Sequence, residues 1–341
     1  MSRQRKLRLA RTAAILLVLI IIIARCAGGD TPTKAKQPTR TKQSTTTTTA
    51  KPTTPTSVST ATLPQKLPEA RYGTGAVAVS GKILIPGGVD PKKNSSLAIW
   101  QFDPTTGKTI NIGKLPTATH DGAVAVIGDT MWMLGGGKGA TPFATTVSVD
   151  TTGKATNAGK LPTPRVDAEA VTSSDGATIY VVGGSDGKTD TKAVLQTTDG
   201  VAFTQIATLP ESTRRPAVAL LGRSIYVIGG EWGPNLAPIT TIQRVDLDSG
   251  NATVVGHLPV ALSRSAAMVL GGSLFVAGGR TTDGRSDQIL RVDPVTALTT
   301  TAGKLPGKIR DAMSAVVGDT GYLLGGLDAA PLDTIITITP G

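Results

Sequence analysis

Two short apolar runs, separated by a Gly-Asp turn and closed by a Gly-Gly pair, make up residues 122–136, GAVAVIGDTMWMLGG. After a variable loop, residues 144–149 (ATTVSV) form a third run, and the turn Asp150-Thr-Thr-Gly153 leads into a fourth run at residues 154–158. Short runs bounded by Gly and Asp are typical of β-strands joined by tight turns. This segment therefore predicts an antiparallel sheet of four strands.

The same unit recurs six times from residue 57 onwards. A Leu-Pro pair begins at residues 67, 115, 161, 209, 258 and 305, and a Gly-Gly pair begins at residues 87, 135, 183, 229, 278 and 325. The two markers advance in step, with intervals of 46 to 49 residues. A period near this length is typical of propeller blades, and no stretch after residue 30 has a helical period. We therefore predict an all-β fold, a six-bladed β-propeller over residues 57–341.

The two ends of the repeat region complement each other. The last repeat stops one strand short, at Asp333–Gly341, and residues 57–67 resemble the fourth strands of the other repeats. A strand from the start of the region would leave no long sheet edge open. We therefore expect residues 57–63 to pair with residues 334–339 and to close the circle of blades.

Two motifs of the unit resemble the kelch repeat. They are the Gly-Gly pair that closes the second strand and a Pro-x-x-Arg-like corner before the first strand, as in Leu67-Pro-Glu-Ala-Arg71 and Leu161-Pro-Thr-Pro-Arg165. Kelch blades usually carry Tyr in the third strand and Trp in the fourth, where this chain holds mainly Val, Ile or Ala. The resemblance, over residues 57–341, is therefore to a divergent, aromatic-poor kelch propeller, and it implies the architecture more than the function.

The kelch resemblance also implies that the corners and the loops after Gly-Gly surround the mouth of a central channel. The basic residues at the corners are Arg71, His120, Arg165, Arg215, Arg264 and Arg310. Converging guanidinium groups would suit a carboxylate or sulfate ligand. Alternatively, each Arg ties neighbouring blades together through backbone carbonyls or nearby Asp side chains. Glu231 and Trp232 have no counterpart in the other loops, so we predict them as binding residues too, with packing as the alternative for Trp232.

The composition excludes several kinds of site. The single Cys cannot form an internal disulfide, and two His with one Cys exclude zinc sites of Cys and His and copper sites of several imidazoles. A copper-radical oxidase of the galactose oxidase kind is excluded for the same reason. A carboxylate-only metal site stays open, but we predict no catalytic residues, no metal and no cofactor.

The positive charge of the chain lies in its first 66 residues. They hold 12 Lys and Arg and one acid, Asp30, whereas residues 67–341 hold 23 basic and 23 acidic residues, out of a net charge of +11. A neutral propeller gives no reason to expect nucleic-acid binding.

The N-terminus has the pattern of an export signal. Five basic residues between positions 3 and 11 precede an uncharged, apolar stretch at residues 12–24, so we predict a basic N-terminus and signal-anchor helix at residues 1–29 with a cytoplasmic N-terminus. The stretch is short for a transmembrane span, so a cleaved secretion signal and a lipoprotein with Cys26 are the alternatives. Residues 30–56, with 12 Thr and four Pro, predict a disordered linker, whose glycosylation is left open.

These observations together predict a propeller held outside the cell membrane by a single-pass anchor. We expect a monomeric binding module for a protein or an envelope glycan rather than an enzyme. The main alternative is an enzyme acting on acidic sugars, similar to a mutarotase or lyase, in which Arg side chains hold a carboxylate and Glu231 or His120 moves protons. A purely structural envelope component is a third possibility.

Overall fold

The computed structural model describes residues 54–341, which form six antiparallel sheets of the predicted kind. In blades 1 to 3, the strands run Val77–Val79, Lys82–Pro86, Ala98–Asp103 and Lys108–Lys114; then Ala123–Ile127, Thr130–Leu134, Thr145–Val149 and Ala155–Lys160; then Glu169–Thr172, Ile179–Val182, Ala193–Thr197 and Thr204–Thr208. In blades 4 and 5, they run Ala217–Leu221, Ser224–Ile228, Ala237–Asp246 and Ala252–Leu262; then Ala266–Leu270, Ser273–Ala277, Gln288–Val292 and Thr299–Lys304. Blade 6 contains Met313–Val317, Thr320–Leu324, Thr334–Pro340 and Val58–Lys66.

Blade 6 takes its outermost strand from the start of the repeat region. Val58–Lys66 pairs antiparallel with Thr334–Pro340, with Thr62 opposite Ile336. The predicted pairing of residues 57–63 with 334–339 is confirmed in direction and place, and the strand extends three residues further. The circle of six blades is therefore closed by hydrogen bonds between the two ends of the repeat region.

The hydrophobic core lies between neighbouring blades. Six clusters of buried side chains each join two adjacent sheets, and one of them joins blade 6 to blade 1 through Tyr322, Phe102 and Trp100. The first strands of the six blades contact one another around the central axis and line a channel of about 540 Å³. Its wall is mainly Ala and Val, whose small side chains let six strands approach one axis.

The Gly-Gly pairs connect each blade to the next. In blade 2, the N–H of Gly136 donates to the carbonyl of Arg165 in blade 3, at 2.8 Å, and a Cβ on Gly135 would lie 2.3 Å from the same oxygen. Both glycines have positive φ, +68° and +85°. The same bond to the next blade is made by Gly88, Gly184, Gly230, Gly279 and Gly326. We call this contact the latch; it explains why every repeat has two glycines here.

Three of the loops after Gly-Gly carry small hairpins on the mouth face. They pair Gly137–Lys138 with Thr141–Pro142, Glu231–Trp232 with Ala237 and Pro238, and Arg280–Thr281 with Gly284–Arg285.

The predicted signal-anchor segment, residues 1–29, and residues 30–53 of the predicted linker lie outside the described residues. Within residues 54–341, no helix is long and apolar enough to cross a membrane.

Candidate functional site

One residue from each blade surrounds the mouth of the channel, six positions after the Leu of each Leu-Pro pair. These residues have φ between +51° and +63°. From blade 2 to blade 6, each donates its N–H to the carbonyl of its counterpart in the preceding blade, at 2.8 to 3.0 Å. The six members are Gly73, Asp121, Asp167, Arg215, Arg264 and Asp311. We call this set the ring; it fixes five charged side chains around one axis.

The two arginines of the ring form ion pairs with its three aspartates. Arg215 lies 2.7 Å from Asp167 and 3.3 Å from Asp121, and so connects blade 4 to blades 3 and 2. Arg264 lies 3.3 Å from Asp311 in blade 6. Ion pairs between blades therefore cross the mouth, and the cavity bordered by the ring residues has about 60 Å³.

Glu231, in blade 4, is not a member of the ring, but its carboxylate contacts both arginines of the ring. Its carboxylate is fully buried and contacts Arg264 at 2.6 Å, Arg280 at 2.9 Å and Arg215 at 3.0 Å. Burial alone would raise the pKa of Glu231, but hydrogen bonds and charge from Arg264 and Arg215 outweigh it and hold that pKa below its usual range. Glu231 is therefore a permanently charged structural centre, which disfavours the predicted proton-transfer role.

Two other carboxyl groups near the mouth have the opposite shift. Burial raises the pKa of Asp167 to about 7, against the lowering effect of Arg215 and with a further increase from Asp121. Burial and the negative charges of Asp121 and Asp167 raise the pKa of Glu169, which lies two residues further along the chain and lines the channel, to about 8. At neutral pH, Glu169 is therefore mostly protonated, which is the less costly state for a carboxyl in an apolar channel.

The six predicted corner residues do not share one position of the repeat. Arg71 and Arg165 come four residues after the Leu of the Leu-Pro pair, His120 and Arg310 five, and Arg215 and Arg264 six. Only the last two belong to the ring.

Arg71 and Arg165 lie inside the blades and away from the mouth, which corrects their predicted placement. They are 1% and 3% exposed. The guanidinium of Arg71 stacks on Trp100, 4.0 Å from the centroid of its aromatic side chain, and donates to the Gly87 carbonyl. Arg165 donates to the Ala193 carbonyl, and burial lowers its pKa to about 10. Both side chains bind backbone of their own blade, so they do not make the predicted ties between neighbouring blades. Arg215 and Arg264 make such ties, through Asp side chains.

The other predicted residues lie on the mouth face. His120 lines a cavity of about 330 Å³ outside the ring, with its Nδ1 2.9 Å from the Ser95 hydroxyl. Arg310 forms an ion pair with Asp311. Trp232 is 60% exposed, on the hairpin whose first residue is the buried Glu231.

Sequence reasoning missed three residues of this face: Glu169, Arg280 and Arg285. Arg280 directly follows the Gly-Gly pair of blade 5, at the position that Glu231 occupies in blade 4. The position after Gly-Gly was therefore the signal in the sequence that could have identified Arg280. Within residues 54–341, no group of three or more His, Cys, Asp or Glu side chains is arranged to hold a metal ion.

Comparison with known proteins supports the repeat assignment. Residues 27–230 match the family model described as the KLHDC2/KLHL20/DRC7 Kelch-repeats domain. A search of curated proteins found no match.

Proposed function

Because the chain belongs to the kelch-repeat family, whose propellers are generally protein-interaction modules, we propose that its mouth face binds a partner protein. The observation that carries this proposal is Trp232, a large aromatic side chain that is 60% exposed on the blade 4 hairpin. Exposed Trp residues are among the commonest anchors of protein interfaces.

The base of this hairpin is held rigidly. Glu231 is bound by three arginines, and its neighbour Trp232 pairs with Ala237 across the hairpin. A backbone that is already held in place loses little conformational entropy when a partner covers its side chain. The hairpin is thus a preformed contact rather than a mobile loop that must be ordered on binding.

The test is capture of partners by the full-length chain and by a Trp232→Ala variant. The matched control is Leu298→Ala, because Leu298 is also a large exposed side chain, 69% exposed, but follows the turn between the third and fourth strands of blade 5. We expect Trp232→Ala to lose a bound protein that the wild type and Leu298→Ala retain. Identical bound proteins in all three samples would contradict the proposal.

For location, we propose that residues 1–56 hold the propeller outside a cell membrane. The support is the basic flank followed by an apolar stretch, and the Thr- and Pro-rich composition after it. An alkaline phosphatase fused to the C-terminus should be active, because this reporter needs an extracytoplasmic location. The mass of the mature protein then separates an intact anchor from a cleaved signal or a lipoprotein.

A glycan ligand and an enzyme acting on acidic sugars remain predictions without an equivalent observation. The arginines that would hold a sugar carboxylate, Arg215 and Arg264, are paired with Asp and Glu side chains, and Glu231 is held in its charged form. The protein-binding role is therefore the better supported of the two.

A further inference from the structure

A further cavity opens beside the ring, between the hairpin of blade 5 and the corner of blade 6. It has a volume of about 250 Å³, and five residues line it: Arg264, Arg280, Gly284, Arg285 and Arg310. We propose that this four-arginine pocket binds a tetrahedral oxyanion, the sulfate or phosphate group of a ligand. The proposal does not depend on Trp232 or on a partner protein.

The charge of the four-arginine pocket favours an anion. The carboxylates paired with its arginines are Glu231, Asp311 and Asp328. The residues that line the cavity itself include four guanidinium groups and no carboxylate, so a bound anion would face positive charge. Glu231 is buried, contacts Arg264 and Arg280, and is not among the residues that line the cavity, so its charge holds these side chains in place without occupying the cavity.

Several N–H donors in the pocket remain available. Among the described residues, Arg280 uses only its Nη1, toward Glu231 and the Leu236 carbonyl, and Arg310 uses only its Nη1, toward Asp311. Arg285 approaches Asp328 through Nε, at 2.8 Å, which leaves both of its Nη groups. Since a guanidinium carries five N–H donors, each of these three arginines can give a paired contact to an anion.

The placement of these donors favours a tetrahedral group over a carboxylate. Arg280 and Arg285 come from the two strands of one hairpin, whereas Arg310 comes from the corner of the next blade. A carboxylate presents two oxygens in one plane, but a sulfate or phosphate ester presents three oxygens in different directions. Guanidinium forks supplied by two separate elements, the hairpin and the corner, therefore match the three free oxygens of a monoester better than the two oxygens of a carboxylate.

The test is calorimetric titration of the full-length chain with sulfate, inorganic phosphate and acetate at constant ionic strength. We expect sulfate and phosphate to bind and acetate to bind at least about tenfold more weakly, one lost charge-assisted contact being worth about that factor. If phosphate binds better at pH 8 than at pH 6 and better than sulfate, the natural ligand is a phosphate monoester; a preference for sulfate indicates a sulfate ester.

Two variants with opposite expected effects make the test specific. Arg285→Gln should raise the Kd of the preferred anion about tenfold, whereas Asp328→Asn, which frees Arg285 from its partner, should lower it about threefold. The control is Arg223→Gln, because Arg223 forms an exposed pair with Asp248 in blade 4 on the opposite face. Equal losses in Arg285→Gln and Arg223→Gln, stronger binding of acetate, or no heat with either anion would each overturn the proposal.

Discussion

The latch and the ring use the backbone in the same way but place different demands on the side chain. At both positions φ is positive, and at both an N–H reaches a carbonyl of a neighbouring blade, the next blade at the latch and the preceding blade in the ring. All six latches hold two glycines, whereas the ring holds one Gly, three Asp and two Arg.

The space around the Cβ explains this difference. A Cβ on the first latch glycine would lie 2.1 to 2.5 Å from a carbonyl oxygen of the next blade, in all six blades. The ring side chains instead extend into the mouth, where they meet one another. A left-handed φ costs a non-glycine residue about 1–2 kcal/mol, which a stable domain tolerates at single positions, whereas a backbone clash cannot be tolerated. The ring is therefore the part of the repeat whose chemistry is free to vary.

The largest effect is expected from a methyl group at a latch. Gly229→Ala places a Cβ 2.1 Å from the Leu262 carbonyl and should destabilise the domain by about 4 kcal/mol or more. Gly128→Ala is the matched control, because Gly128 has nearly the same φ, +58° against +59°, and nothing within 4 Å of its Cβ. It should cost about 1 kcal/mol in a urea unfolding experiment. Similar losses in the two variants would show that φ, and not the close contact, requires glycine at the latch.

The next largest effect is expected where the ring depends on a buried charge. Glu231→Gln leaves Arg215, Arg264 and Arg280 without their common carboxylate and should cost about 3 kcal/mol. Asp248→Asn removes an exposed partner from Arg223 and should cost less than about 1 kcal/mol. Urea unfolding at pH 7 measures both. A loss as small as the control's would mean that the arginines of the ring do not need Glu231.

The sequence predicted the fold well because the repeat signals are backbone signals. Gly-Gly and Leu-Pro mark latches and corners, and their spacing gives the blade count without any knowledge of the core. The last repeat lacks its fourth strand, so this strand had to come from elsewhere in the sequence. This predicted that the start of the repeat region, around Thr62, pairs with its end.

The site was harder to predict, because basic residues occur at three different positions of the corner and only one of these positions belongs to the ring. Arg71 and Arg165 come two residues before the ring position of their blades, and this small difference in position places their side chains in the interior of the blade rather than in the mouth. A constant offset from Leu-Pro identifies the ring correctly, including Asp121. The raised pKa of Glu169 depends on burial in the assembled channel, which no local pattern reveals.

Glu169 gives the ring region a pH dependence. Its pKa of about 8 lies above the ordinary value of 4.5, so the folded domain binds this proton more tightly than the unfolded chain does. The stabilisation is complete below about pH 4.5 and is lost as the pH rises through about 8. Glu169→Gln removes the dependence, and should raise the melting temperature at pH 9 by roughly 4 °C, for about 2 kcal/mol, with little change at pH 5. Equal shifts at both pH values would show that ionisation of Glu169 is not involved.

The smallest effect is expected within the ring itself. Asp121→Gly reproduces in blade 2 the glycine that blade 1 has at Gly73, so relief of the left-handed φ, +51°, should roughly offset the lost contact with Arg215. We expect a net change within about 1 kcal/mol. Asp121→Ala loses the same contact but keeps a Cβ at this φ, so it should be less stable than Asp121→Gly by about 1 kcal/mol in urea unfolding. If the two variants unfold at the same urea concentration, the ring backbone is unstrained, and the preference for Asp at this position comes from its ion pairs alone.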